Sequence, residues 1–121
     1  MLASSIEWIL VISGIPTAAA GLAALFFPKK FLGLVFGSTA TGPITIFFAR
    51  HWGTFVVCLL TVYAAFFPGT RGPILTAAAI EKLAIFILTF SGKLTRTPAM
   101  AAIAIMDGLL AVLFTFYLVG Q

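Results

Sequence analysis

The chain is 121 residues long, 62% hydrophobic and only 8% charged, with a net charge of +4 at pH 7. That composition describes a single membrane-embedded domain, because a soluble domain of this size needs far more polar surface. Its basic excess is scattered, with no run longer than Lys29-Lys30 and no aromatic-and-basic platform. Nucleic acid is therefore excluded as a partner. The single cysteine, Cys58, rules out an internal disulfide framework and a thiolate metal site.

The first apolar run covers 5–27, and at about 1.5 Å per residue it reaches about 35 Å, enough to cross a hydrocarbon core. Ser4 and Glu7 have the spacing of a capping box, so Glu7 reads as a helix cap. Gly14, Ala18, Gly21 and Ala24 supply a small-residue surface for close helix approach, and Pro16 is a candidate kink. Pro28, Lys29 and Lys30 end the run. The segment 28–43 is too short and too rich in Gly and Thr to cross, and it reads as an interfacial loop with Gly33 and Gly37 as turn residues.

The second run, 44–67, carries Arg50, His51 and Trp52 near its start. Arg50, Thr54, Cys58, Thr61 and Ala65 form one stripe that predicts a protein-facing side, leaving Phe47, Phe48, Phe55, Leu59 and Leu60 for lipid or a subunit contact. Pro68-Gly69 turns the chain into the third run, 73–91, which holds Glu81 and Lys82 beside Ala77, Ala78 and Ala84. The fourth, 97–119, holds Asp107 among Ala104, Gly108, Ala111 and Thr115; in an uninterrupted apolar run the Asp107-Gly108 pair reads as helix. Pro43, Pro73 and Pro98 each predict a first helical position, where a missing N–H costs nothing. The fold class is thus all-α, an integral membrane protein built as a bundle of four transmembrane helices.

Lys29, Lys30, Lys93 and Arg96 flank one end of these helices against Arg71 at the other. The positive-inside rule then places both termini on the non-cytoplasmic side. On this topology Arg50 lies about 10 Å, and Glu81 and Asp107 about 15 Å, from the cytoplasmic helix ends. Arg50, His51, Trp52, Glu81, Lys82 and Asp107 are therefore expected to share one polar layer, with Arg50 coupled to Asp107 or Glu81. The third run needs such partners. Its nine Leu, Ile and Phe residues favour insertion by roughly 3 to 5 kcal/mol, against roughly 5 to 7 for burying Glu81 and Lys82.

Three functional classes fit that layer. The first binds a lipid, quinone or other apolar small molecule, or serves as a homo-oligomer or as a subunit of a larger membrane complex. The second is an acid/base enzyme of isomerase or cyclase type on an isoprenoid or sterol-like substrate, with Asp107, Glu81 and His51 as the candidate catalytic groups. The third is a proton-coupled carrier using the same carboxylates, although the chain has no internal repeat. A haem on His51 would need Met100, Met106 or a second copy as its other ligand. One histidine and two carboxylates lack metal-motif spacing, so no metal is assigned and no cofactor follows from the sequence.

Overall fold

The computed structural model describes residues 2–37, 42–59, 61–91 and 95–120. Lys93, Leu60 and Gly92 lie outside the described residues, as do the side chains of Ser4, Cys58 and Leu59. The elements are α1 (Leu2–Phe26), α2 (Pro28–Phe36), α3 (Pro43–Leu59), α4 (Thr61–Phe66), a 3-10 turn (Pro68–Thr70), α5 (Arg71–Ser91) and α6 (Pro98–Val119). The described residues are all-helical, and four segments are long and apolar enough to cross a membrane: Ser5–Phe26, Ile44–Phe66, Pro68–Ser91 and Pro98–Val119. α1 runs antiparallel to α3 and α4, and α5 runs antiparallel to α6.

Small residues bring the helices of the first pair together. A Cβ on Gly14 would sit 2.7 Å from the Val62 backbone nitrogen, one on Gly53 would meet the Gly21 carbonyl oxygen, and Ala24 is fully buried. The glycine surface expected on α1 is therefore a contact surface. At the end holding both termini, Ile6, Leu10, Leu75 and Phe114 are fully buried and pack with Ala64, Ala65, Ala78, Leu110 and Tyr117.

Arg71 organises that end. It was expected as a loop cation, but it is buried at the first position of α5. Its Nε donates to the Ala64 carbonyl at 2.9 Å, and its Nη2 donates to the Ala65 carbonyl and to Glu7 Oε1, both at 3.1 Å. Ala64 and Ala65 lie in the last turn of α4, whose carbonyls have no helical donor left to receive. The guanidinium supplies the donors and a favourable charge for the negative end of the helix dipole. Glu7 is thus corrected from cap to ion-pair partner. α1 begins at Leu2, so Ser4 already has helical backbone and cannot be an N-cap.

Proline placement corrects two further expectations. Phe27, with φ −127° and ψ 53°, leaves the helix before Pro28, which restarts it at the first position of α2. Segment 28–43 therefore begins as a nine-residue helix rather than a loop. Gly33 lies inside that helix, whereas Gly37 ends it in the left-handed region at φ 60°. Pro43 and Pro98 do open α3 and α6, while Pro73 is the third residue of α5 because the 3-10 turn feeds straight into Arg71.

Thr97 ties the other end together. Its hydroxyl accepts from the Met100 N–H at 3.2 Å, as an N-cap of α6, and donates to the Val35 carbonyl at 2.6 Å in the last turn of α2. One side chain therefore closes two helix ends, and it anchors α2 across the end of the bundle.

Candidate functional site

Buried positions on α5 fall at Arg71, Leu75, Ala78 and Lys82, and on α6 at Met100, Ala104, Leu110, Ala111, Phe114 and Tyr117. The α5 set recurs every three or four residues, and on α6 Met100, Ala104, Ala111 and Phe114 fall on one face when the half-buried position 107 is included. Asp107 continues the α6 face. Lys82 and Asp107 consequently meet across the seam, with Nζ 2.6 Å from Oδ1 and side-chain exposures of 4% and 15%. This is a largely desolvated ion pair, held only while both members are present. Beside it, Gly108 lets the Phe86 ring approach to within 2.8 Å of where a Cβ would stand.

Glu81 is one residue from Lys82, about 100° around the helix. That rotation takes it off the seam and into the wall of a cavity of about 760 Å³ between α1, α2, α3, α5 and α6. Apolar residues form most of that wall, among them Ile12, Val35, Phe48, Val56, Ile85 and Leu110. Trp52 and Phe31 are stacked there, with ring centroids 5.4 Å apart and planes at 26°. The charged residues lining it are Glu81, Lys82 and Asp107. Ser13 and Thr17 also line it, but their hydroxyls donate to the Ile9 and Ser13 carbonyls of their own helix at 2.6 and 2.8 Å. The cavity occupies the half of the bundle away from the Arg71 end, and Phe31, Leu32 and Val35 place α2 over it.

The six residues expected in one layer divide into two groups. Trp52, Glu81, Lys82 and Asp107 line the cavity; Arg50 and His51 are exposed and do not. The His51 ring lies 6.0 Å from that of Phe47, and among the described residues Arg50 forms no ion pair. Lys82, not Arg50, therefore neutralises Asp107. The expected stripe divides: Thr61 and Ala65 are buried as expected, whereas Arg50 and Thr54 are exposed and Ala49, Gly53 and Val56 are buried against the bundle instead. An offset of one residue rotates a helix face by about 100°, enough to exchange inside for outside. Phe47, Phe48 and Phe55 are exposed as expected. On helix five Ala84 also faces outward, and on α6 so does Thr115.

These positions bear on the cofactor alternatives. Met100 and Met106 line the cavity and His51 does not. Among the described residues no group of three or more His, Cys, Asp or Glu side chains is placed to hold a metal ion. Sequence reasoning missed the cavity-covering role of α2 and the double role of Thr97. The signals were a Pro at the first helical position, apolar residues at Phe31, Leu32 and Val35, and Thr immediately before Pro98.

No protein-family model, no curated protein and no solved structure matches the chain.

Proposed function

We propose that this is a small integral membrane protein that binds one elongated apolar molecule in the cavity beneath α2. The observation that carries this reading is the cavity itself: about 760 Å³, apolar in most of its wall, with Glu81 and the Lys82–Asp107 pair among its lining. Ligand sites have roughly this character, about 300–1,000 Å³ of mostly apolar space with a few convergent polar groups. Trp52 and Phe31 would lie flat against the occupant. Extraction of the purified protein and mass spectrometry should find near-stoichiometric apolar ligand, and Ala20→Trp, which adds bulk to the wall, should lose it. Equal and substoichiometric lipid in both proteins would sink the reading.

An acid/base enzyme is the second reading, supported by a carboxylate, Glu81, in the cavity wall beside an Asp107 already neutralised by Lys82. It predicts an extracted molecule that isomerises on incubation with protein, whereas a binding protein returns it unchanged. His51 has no part in either, since it does not line the cavity.

We also place the α2 end on the cytoplasmic side, because Lys29, Lys30 and Arg96 are all exposed there, with Lys30 over the Phe27 ring and Arg96 over the Phe90 ring. In a Cys58→Ser background, cysteine at Lys30 should be labelled from the cytoplasm and cysteine at Gly69 from the opposite side. The reverse pattern would invert the protein in its membrane.

A further inference from the structure

We infer that the cavity selects a ligand whose polar end donates a hydrogen bond, an alcohol or amine head on an apolar chain, and that Glu81 receives it. This rests on the cavity being a ligand site. Lys82 is fixed in the seam at 3% exposure, with its ammonium 2.6 Å from Asp107. Arg50, the next cation in this part of the bundle, is exposed and does not line the cavity. Among the described residues Glu81 therefore has no ion-pair partner and no protein hydrogen bond, although it is half-buried in an apolar wall.

A carboxyl group that opens into an apolar-walled cavity takes its hydrogen bonds from whatever fills that space, and the Glu81 oxygens do open into it, since among the described residues no buried side-chain oxygen or nitrogen lacks a partner. The Ser13 and Thr17 hydroxyls are already spent on their own helix. Thr45, Thr89 and Trp52 also line the cavity and carry donors, but among the described residues none of them hydrogen-bonds Glu81, so the occupant can supply the donor. An alcohol can do so whether Glu81 is ionised or protonated, and an ammonium head would add the second cation that two carboxylates and one lysine lack. A carboxylate or phosphate head would instead bring a third negative group to the same place. An ester or ketone has only acceptors and offers an ionised Glu81 nothing.

The test uses Trp52 as its own reporter. In a Trp8→Phe background, which removes an exposed tryptophan, the protein is placed in nanodiscs and titrated with hexadecanol, hexadecylamine, palmitate and methyl palmitate, each brominated at mid-chain. Quenching of Trp52 emission is read against the partition of each probe into empty nanodiscs. The alcohol and amine should saturate at concentrations about tenfold or more below the carboxylate and ester, the scale of a hydrogen bond to a charged group. Glu81→Leu should bring the alcohol to the level of the ester. Glu81→Gln, which keeps the shape and an acceptor, should retain alcohol binding and lose the amine preference.

Saturable quenching without head-group preference would overturn the assignment of Glu81 and leave the cavity as a ligand site. So would a preference that persists in Glu81→Leu, or an amine preference unchanged in Glu81→Gln should the leucine variant not fold. Failure of every probe to saturate would overturn the ligand site as well.

Discussion

Asp107→Leu should destabilise the detergent-solubilised protein by about 3–5 kcal/mol, because it strands the Lys82 ammonium in the seam between α5 and α6. Lys82→Met should cost a similar amount by leaving Asp107 unpaired. The double variant should recover most of the loss, since two apolar side chains of similar bulk suit that seam at least as well as the ion pair does. Burial decides the size of the effect: with side-chain exposures of 4% and 15%, both groups are largely desolvated and each relies on the other for its neutralisation. The cycle Arg50→Met with Asp107→Leu should by contrast be additive, as Arg50 is exposed and outside the pair. Unfolding free energies of the three single and two double variants check both statements. Coupling of Asp107 to Arg50 instead of Lys82 would overturn the seam.

What the sequence disclosed follows from how local each signal is. Four long apolar runs are legible because their length and composition alone define them, and four described segments are long and apolar enough to cross a membrane. The glycines of α1 were readable too, because small residues on one face have little reason to be there except contact. Which cation meets which acid was not readable. Depth along the helix axis put Arg50, Lys82, Glu81 and Asp107 at similar heights, but pairing depends on azimuth, and adjacent residues differ by about 100°. Lys82 lies in register with Leu75 and Ala78, and Asp107 with Ala104 and Ala111. Those flanking small and apolar positions, not the charges, carried the information. Arg71 shows a different limit, since its partners are main-chain carbonyls, and any residue can provide those.

Gly53 should be the least replaceable of the glycines whose surroundings the structure describes. A Cβ there would run into the Gly21 carbonyl oxygen and lie 2.9 Å from the Leu25 nitrogen, both main-chain atoms that cannot rotate aside. Gly53→Ala should therefore cost about 1–3 kcal/mol, as overpacking does, and Gly53→Leu more, because α3 must then be pushed off α1. At Gly108 the neighbour is the Phe86 ring, a side chain with room to swing, so Ala there should cost less. Gly33 has nothing within 4 Å, and Ala at that helical position should be neutral or stabilising by up to about 1 kcal/mol. Thermal unfolding of the three alanine variants should give the order Gly53, Gly108, Gly33 from most to least damaging. The crossing also sets the cavity, whose walls include Pro16, Thr17 and Ala20 on α1 and Ala49, Trp52 and Val56 on α3. Splaying the two helices at Gly53 should loosen the Trp52 wall, so Gly53→Ala should weaken Trp52 quenching by the brominated alcohol even at temperatures where the protein remains folded. Unchanged quenching in a folded Gly53→Ala protein would mean that the α1–α3 spacing does not shape the site.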